Sequence, residues 1–590
     1  MPDPDVRLSD IDLDPRHLAA IPLIGGVIDR LGIRDVLDER LPRDQRSRVS
    51  DAECVTVMIA NILQGRVALY DMGEWLSGVD SEALLGRPCP SDAFTDDRLG
   101  DALDHIFRGG TDSIFGAVAA RFVRSLSPEA SYLVPTDTTT LSLQGAYDVD
   151  YREEVYRVYA PVPARGHSKD FRPDLKQLVY GMSLHGPTGM PLAATMLDGN
   201  VSDAFANRVQ LDKLAELLPA AHDVTLVGDC KLVDKTTLGW ARRSGFEYVS
   251  LLPRTFALRS ELVDEVRRAS PKMEWLGESP QRLASDPPKP YRGWAFERAI
   301  RIRNDVSGED EDVMHEVIVV HSTSLEEEFD RSLDDRLAKE KARIEKAARA
   351  LGRRPFACSA DTIAAARVLA EEASFSTVRT TAALVTKPAK RQQRGRPPAT
   401  AVPTFTEHWQ AVLEGVERDE ERIAIARVHA SHFTLLSSRV GEKAWGAKRV
   451  FEAYRAQQTI EGHTGFRWLK GAANVAPLFL KLPHRIAALG LVFLLALMVR
   501  NYIEGTVRAA LRERQKTLPD MNDKPTMKPT TEAIFRLFRF AQVIRVTVGE
   551  RLVARQVHHL PTQLSDILDY LNLPADLFHR TTTEIRGGFG

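Results

Sequence analysis

The sequence predicts an α/β protein whose central sheet has mixed strand directions. From about residue 130, short β-branched runs are bounded by glycine, proline and aspartate: SYLVPTD, KQLVYGMSLH, MPLAATMLDG and HDVTLVGD. A helical pattern, DAFANRVQLDKLAELL, precedes the last of these runs, and a second one, DKTTLGWARRSG, leads from it into the strand FEYVSLLP. Consecutive strands followed by strands that alternate with helices favour a mixed sheet with helices packed on its faces.

Length and composition limit the classes of protein that this chain can be. At 590 residues it is too long for one compact core, and about two to four domains are expected. The formal net charge of -2 means that any DNA-binding surface must come from local clusters of lysine and arginine. The four cysteines form no CxxC pair, which argues against a zinc ribbon or a disulfide framework. We therefore expect a cytoplasmic protein.

The pattern of the chain divides it into five predicted segments. They are a helical N-terminal domain (1–128), a first part of the core (129–254), an α+β insertion (255–445), a second part of the core (446–515) and a C-terminal accessory region (516–590). In the first segment, Ser50 and Glu53 have the spacing of a helix-capping box. The insertion carries a predicted hairpin, a long charged helix and a proline-rich basic linker, and the last segment reads as helix, hairpin and helix.

One apolar stretch, IAALGLVFLLALMV at residues 486–499, raises the question of a membrane span. It is shorter than the roughly 20 residues that a spanning helix needs. Arg485 and Arg500 bracket it closely. We therefore expect a buried core helix and no membrane partner.

Two of the predicted strands each lead to an aspartate. Asp137 follows SYLVPT, and Asp229 follows HDVTLVG. If the two strands are neighbours they lie about 4.8 Å apart, and carboxylates at that separation repel each other unless a cation lies between them. Divalent cations held by carboxylates are the usual apparatus for in-line phosphodiester chemistry. Taken alone, each aspartate is more typical of a turn or a helix N-cap than of a metal site, so the pair carries the hypothesis.

Several motifs together resemble a known family. The order of the strands, the TDTTT and VGD motifs, the long insertion and a Tyr…Glu…Lys pattern in FEAYRAQQTIEGHTGFRWLKG are similar to a DDE transposase of bacterial insertion sequences. The similar branch carries a Tyr-Arg-Glu-Lys signature, and GHSKDFRPDLKQLVYGMSL and GFRWLKG also resemble it. The resemblance spans roughly residues 130 to 510. It implies an RNase H-like core.

The resemblance also implies an activity and its partners. It implies dependence on two Mg²⁺ ions, for which Mn²⁺ can substitute, and double-stranded DNA as the substrate at element ends and target. DNA is then cut by water, and the released 3′ hydroxyl attacks the target strand. By analogy, two ends brought together imply a homodimer on DNA.

By position, the resemblance assigns three catalytic acids that would also be the metal ligands. Asp137 matches the first acid, Asp229 the second and Glu461 the third, and Tyr454 matches the signature tyrosine. Glu452 remains a rival for the third acid; it lies nine residues before Glu461, so on one continuous helix the two would face opposite sides.

The sequence departs from the signature at two positions. The branch has an arginine three residues after the tyrosine, but Gln457 stands there and Arg455 is displaced. The branch has a lysine seven residues after the glutamate, whereas Lys470 lies nine residues after it. On a continuous helix nine steps point away from the glutamate, but Gly462 and Gly465 would allow the helix to break.

Residues near these motifs are the candidates for DNA contacts. They are Tyr454, Arg455, Arg467, Lys470, Lys169, Arg172, Lys176, Arg394 and Arg396. The Arg-Gly-Arg core at 394–396 is short enough for an A·T minor groove, and its alternative is a solvated linker. The basic residues of ARGHSKDFRPDLKQ would hold phosphates beside the acids, and their alternative is an exposed charged loop.

Two other functions stay open at this stage. A metal-dependent nuclease on the same core would cut DNA without strand transfer. A catalytically inactive relic of an element protein would only bind DNA, and the two departures from the signature keep that alternative open. Carboxylates and cations alone do not distinguish a transposase from a nuclease.

Overall fold

The computed structural model divides the chain into two compact units. Unit 1 comprises Met1–Ser250, Ile300–Val313 and Ala453–Gly590, and unit 2 comprises Leu251–Ala299 and Met314–Glu452. The residues that the structure describes are 11–42, 46–126, 131–218, 223–279, 286–304, 306–389, 405–462, 464–471, 480–548 and 551–579.

The N-terminal region of unit 1 is mainly helical. Its elements are β1 (Ile11–His17), α1 (Ile21–Arg30), α2 (Ile33–Arg40), α3 (Asp51–Ala60), α4 (Met72–Ser77), α5 (Ser81–Leu85), α6 (Asp96–Arg108) and α7 (Thr111–Arg124). The predicted capping box is confirmed, because Ser50 Oγ accepts from Glu53 N and the Glu53 carboxylate accepts from Ser50 N. Strand β1 lies within the range predicted as helical. Its pairing partner is Gln542–Val548, and local sequence cannot reveal so distant a partner.

A mixed five-stranded arrangement forms the centre of unit 1. Its elements are β2 (Ser131–Leu143), α8 (Glu154–Tyr159), β3 (Lys176–His185), β4 (Met190–Leu197), α9 (Asp203–Leu217), β5 (Asp223–Gly228), α10 (Lys235–Arg243) and β6 (Glu247–Leu251). The strand order is β4-β3-β2-β5-β6. β3 is antiparallel to β2 and β4, while β5 is parallel to β2 and β6. The predicted mixed α/β fold and its order of elements are confirmed, except that α8 was not predicted.

Unit 2 and the segments bordering it contain long strands and helices. They are α11 (Ala257–Ala269), β7 (Glu274–Glu278), β8 (Pro290–Arg303), β9 (Asp310–Ser322), α12 (Thr323–Leu351), α13 (Ser359–Glu371), β10 (Ser376–Pro388), β11 (Phe405–Arg418), α14 (Glu420–Ser431), β12 (His432–Ser437) and α15 (Gly446–Arg455). The predicted hairpin corresponds to the neighbouring strands β8 and β9. On the predicted charged helix α12, Phe329 and Leu333 are buried against Ile423 of α14.

The chain completes unit 1 with short helices, one long helix and a small sheet. These elements are α16 (Gln457–Glu461), α17 (Phe466–Leu469), α18 (Pro483–Glu513), β13 (Leu518–Pro519), β14 (Pro525–Thr526), α19 (Thr531–Leu537), β15 (Gln542–Val548), β16 (Arg551–His558) and α20 (Leu564–Tyr570). The helix, hairpin and helix predicted for the C-terminal region are confirmed as α19, β15–β16 and α20.

Helix α18 contains the apolar stretch 486–499, whose composition resembles that of a membrane span. Every residue from 486 to 499 is buried, and the helix packs against α6 and β4. Among the described residues it is long and apolar enough to span a membrane, as is the bent pair Asp51–Gly65 and Leu69–Ser77 if counted as one span. In α18, 94% of the most apolar window is buried within the protein. The prediction of a buried core helix is confirmed.

Candidate active site

The register of two parallel strands brings the two predicted aspartates level. Pro135 of β2 lies opposite Val227 of β5, so two further residues along each chain lead to Asp137 and Asp229. Asp229 does follow the end of its strand. The predicted strand end at Asp137 is wrong, because β2 continues to Leu143 by pairing with β3 after β5 has ended.

Backbone amides hold both carboxylates. Asp137 Oδ1 accepts from Thr138 N at 2.7 Å. Asp229 Oδ1 accepts from Lys231 N at 2.8 Å, and Asp229 is the N-cap of a short 3₁₀ turn. The N-cap alternative is therefore present at Asp229 as well. These contacts restrict the side-chain rotation of each acid and leave its second oxygen available.

The helix that carries Glu461 breaks directly after it. α16 ends at Glu461, Gly462 continues in an extended conformation, and α17 starts only at Phe466. A Cβ on Gly465 would lie 2.0 Å from the carbonyl oxygen of Ile460, so this tight turn needs glycine. Since Glu461 and Lys470 do not share one continuous helix, helical geometry does not place Lys470 on the side opposite to Glu461.

A buried asparagine fixes the turn after Glu461. Asn501 of α18 donates from Nδ2 to Thr464 O at 2.8 Å and to Gly189 O at 2.7 Å. The side chain is 1% exposed, so these carbonyls have their partner in the core. The turn is thereby tied both to the long helix and to the β3–β4 connection.

Gln457, which stands where the signature has an arginine, bonds to the backbone beside Asp229. In the amide orientation that satisfies both of its polar atoms, Gln457 donates to Gly228 O at 3.3 Å and accepts from Asp229 N at 3.1 Å. The side chain is buried. It thus links the helix of the third acid to the backbone of the second acid.

The charges of the three acids act on one another. Burial raises the pKa of Asp137 to about 6, and the negative charges of Asp229 and Glu461 add to this rise while Lys169 opposes it. Burial, and then the charge of Asp229, raise the pKa of Glu461, although its side chain remains accessible to solvent. Burial also raises the pKa of Asp229. The three predicted acids therefore lie near enough for their charges to act on one another.

Tyr454 lies beside the same acids. Burial raises the pKa of its hydroxyl to about 12, and the charges of Asp229, Glu461 and Asp137 contribute. The hydroxyl therefore keeps its proton at neutral pH and can donate a hydrogen bond. The rival Glu452 is exposed on α15.

Two charged residues near the acids differ from the prediction: Lys169 was given another role, and Asp203 was not predicted. Lys169, predicted to contact DNA, lies 3.7 Å from Asp137 Oδ1 and 3.6 Å from Asp203 Oδ1. Asp203 was missed; it follows the N-cap Ser202 of α9, where an acid is ordinary, so its sequence context carried no signal. Although burial opposes it, the charge of Lys169 holds the pKa of Asp203 below its usual value. Lys231 also reaches Asp203, at 3.6 Å.

Three of the cations predicted to hold phosphates form ion pairs within the chain. They are Arg172 with Asp174 at 2.7 Å, Lys176 with Asp148 at 2.8 Å and Lys470 with Asp170 at 2.5 Å. Arg467 is exposed on α17, and Arg455 is half-buried at the end of α15. Arg394 and Arg396 lie outside the described residues.

The donor atoms of the cluster suit a hard divalent cation. Asp137, Asp229 and Glu461 offer carboxylate oxygens, the ligands that Mg²⁺ prefers. Burial raises their pKa values most, and neighbouring carboxylates, whose negative charge a cation would neutralise, raise them further. Within the part of the chain that the structure describes, no three His, Cys, Asp or Glu side chains are grouped closely enough to hold an ion together. In this arrangement the ammonium of Lys169 supplies the positive charge beside Asp137.

In the absence of divalent ions, ionisation of Asp137 should destabilise the fold as the pH rises from about 4 to about 6. The folded state holds this proton more tightly than the unfolded chain, since its pKa is raised from 3.8 to about 6. Protonated Asp137 therefore adds at most about 3 kcal/mol to the free energy of unfolding. This contribution is fully present below the pKa of Asp137 in the unfolded chain and is lost as the pH rises through its pKa in the folded protein.

Urea unfolding of the wild type and of Asp137→Asn between pH 4 and 7, both in chelator, measures this effect. As the pH rises across that range, the unfolding free energy of the wild type should fall relative to that of the asparagine variant. A constant difference would show that Asp137 does not titrate there.

Comparison with known proteins identifies one part of the chain. Residues 13–120 match the family described as "Domain of unknown function (DUF4277)", and this domain is found in transposase-like proteins. No curated protein matches the chain. The matched range covers most of the N-terminal helical region and does not reach Asp137, Asp229 or Glu461. The similarity to transposase-like proteins therefore concerns the N-terminal domain.

Proposed function

We propose that this protein is a DDE transposase, which cuts DNA at element ends and joins the 3′ hydroxyl to a target strand. The observation that carries the proposal is the mutual electrostatic effect of Asp137, Asp229 and Glu461, which come from β2, the end of β5 and the end of α16. The strand order β4-β3-β2-β5-β6, with β3 antiparallel to its neighbours, supports an RNase H-like core. The match of residues 13–120 to a domain of transposase-like proteins adds independent support.

Each residue of the site has a distinct role in this proposal. Asp137, Asp229 and Glu461 would hold two Mg²⁺ ions, or Mn²⁺ in their place. When bound, such ions activate the attacking oxygen and stabilise the leaving oxygen of the phosphodiester. Gln457 keeps the second and third acids in register. The protonated hydroxyl of Tyr454 can donate a hydrogen bond to a DNA phosphate.

The remaining assignments follow from the same proposal. The first and second parts of the core are residues 129–254 and 446–515, and residues 255–445 are an insertion. The N-terminal domain, 1–128, would bind the element ends, and Arg467, Arg172 and Lys176 would contact phosphates. The working form is a cytoplasmic homodimer on double-stranded DNA.

Cleavage and joining of labelled DNA test the proposed function directly. One substrate is the DNA that flanks the gene, left intact, and the other is the same DNA already cut to expose the 3′ hydroxyl; a supercoiled plasmid serves as target. With Mg²⁺ we expect cleavage of the first and joining of the second to the plasmid, and neither in chelator.

The two alternatives predict different results in the same assay. Cleavage of the intact substrate without joining of the pre-cut one would replace the transposase by a metal-dependent nuclease. Binding of both substrates without any metal-dependent turnover would identify a DNA-binding relic.

A further inference from the structure

We propose that Lys169 is a resident countercharge of the carboxylate cluster, which competes with a divalent cation for Asp137. The inference rests on the proposed function only in that a divalent cation binds this cluster. It gives Lys169 a role different from the phosphate contact that its position in a basic loop predicts.

The ammonium of Lys169 lies beside the two aspartates and is held there by hydrogen bonds to Thr138. Its Nζ donates to the carbonyl oxygen of Thr138 at 2.6 Å and to Thr138 Oγ1 at 2.8 Å. It also lies 3.7 Å from Asp137 Oδ1 and 3.6 Å from Asp203 Oδ1. The backbone amide of Lys169 donates to Thr140 Oγ1 at 3.1 Å, which holds the base of the side chain against the same strand.

This arrangement is tighter than a surface ion pair. The Lys169 side chain is 29% exposed and that of Asp137 is 16% exposed, so solvent screens their attraction less than it would on the surface. Thr138 Oγ1 in turn donates to Asp203 Oδ1 at 2.9 Å, which connects both partners of the lysine. One threonine, one lysine and two aspartates therefore form a closed hydrogen-bonded and ionic network.

The charge of Lys169 reaches the whole cluster. It opposes the rise in pKa at Asp137, Asp229 and Glu461, and it lowers the pKa of Asp203. A divalent cation that binds the same oxygens neutralises the same negative charge and repels an ammonium group at this distance. Binding of the ion and retention of Lys169 beside Asp137 are therefore mutually unfavourable.

The benefit of such a countercharge is stability before the ion arrives. Several carboxylates held together without a cation would repel one another and raise the free energy of the folded site. Lys169 reduces that repulsion, at the expense of affinity for the ion. The long, unbranched side chain can move its charge away once the ion is bound.

Lys231 offers a matched control in the same cluster. Its Nζ lies 3.6 Å from Asp203 Oδ2, yet its side chain is 57% exposed. Its backbone amide, which holds Asp229, is unaffected by a change of side chain. Removing Lys231 therefore takes one positive charge from Asp203 and Asp229 while leaving the contact between Lys169 and Asp137 intact.

Titration of Mn²⁺ against thermal unfolding, without DNA, tests the proposal. The proteins are the wild type, K169M, K169R and K231M, with K169Q as a second neutral variant that keeps a hydrogen-bond donor. The ion concentration that gives half of the shift in melting temperature should fall about tenfold or more in K169M and K169Q. It should stay within about threefold of wild type in K169R and K231M.

The other outcomes are equally decisive. An unchanged or higher midpoint in both neutral variants, with a clear Mn²⁺ shift in the wild type, would overturn the role of Lys169 and leave the proposed function standing. A fall of the same size in K231M would also overturn it, because the effect would then come from net charge. Absence of any Mn²⁺ shift in every protein would contradict the metal-dependent function itself.

Discussion

Replacement of Asp137 by asparagine is expected to abolish metal-dependent strand cleavage and to leave DNA binding intact. The amide keeps the shape of the side chain but removes the charge that a divalent cation needs. Since loss of outer-shell partners alone commonly lowers metal affinity or activity by about 10–100-fold, loss of a direct ligand should lower cleavage by more than about a hundredfold. The measurement is the rate of strand cleavage in Mg²⁺, together with a gel-shift titration of the same DNA.

Asp566→Asn is a suitable control for this change. Asp566 forms a surface ion pair with Lys516 at 3.0 Å, and such pairs contribute about 0–1 kcal/mol. The control should cut and bind DNA as the wild type does. Unimpaired cleavage by Asp137→Asn would remove Asp137 from the proposed site, and loss of binding would show that the change affects more than the acid.

The second large effect is expected at Gly465, whose replacement by alanine should displace Glu461. The added Cβ would lie 2.0 Å from the oxygen and 2.6 Å from the carbon of the Ile460 carbonyl. Both are backbone atoms, so relief requires movement of the segment that ends in Glu461. We expect a loss of about 1–3 kcal/mol in unfolding free energy and a loss of cleavage comparable to that of an acid variant.

Gly116→Ala provides the matched glycine control. Gly116 lies within α7, and a Cβ there would meet nothing within 4 Å. Alanine should therefore leave stability unchanged or raise it by up to about 1 kcal/mol, because it favours a helix. The two variants are compared by urea unfolding and by cleavage rate. Wild-type stability and activity in Gly465→Ala would mean that the turn after Glu461 is not as tight as described.

The strands that carry the first two acids could be predicted from the sequence, because the residue pattern that indicates a strand is local. Alternating β-branched runs with bounding turn residues predicted β2 and β5, and both aspartates follow from where these runs lead. The end of β2 was misplaced, because an aspartate after an apolar run is typical of a turn, whereas the threonines after Asp137 continue the strand by pairing with β3. Pairing partners, and not local propensity, decide where such a strand ends.

Glu461 depended on the resemblance, since nothing in its local sequence distinguishes it from Glu452. A helix of regular geometry would place these residues on opposite faces, but α15 ends at Arg455 and α16 starts at Gln457, so the two glutamates do not share one continuous helix. The role of Gln457 was likewise invisible, because its partners are the backbone atoms of Gly228 and Asp229. Backbone partners leave no pattern of side-chain types in a sequence.

The sequence by itself determined the order of strands and helices, the buried character of α18 and the presence of two strand-borne aspartates. Periodicity and turn residues encode these features within short windows, so no knowledge of distant contacts is required. Only the tertiary structure decided which charges share a site. Asp203 and Lys169 join Asp137 across α9, β2 and a connecting loop, and Glu461 comes from more than two hundred residues further along the chain. Electrostatic interactions depend on distance in space, and that distance is set by packing rather than by position in the chain.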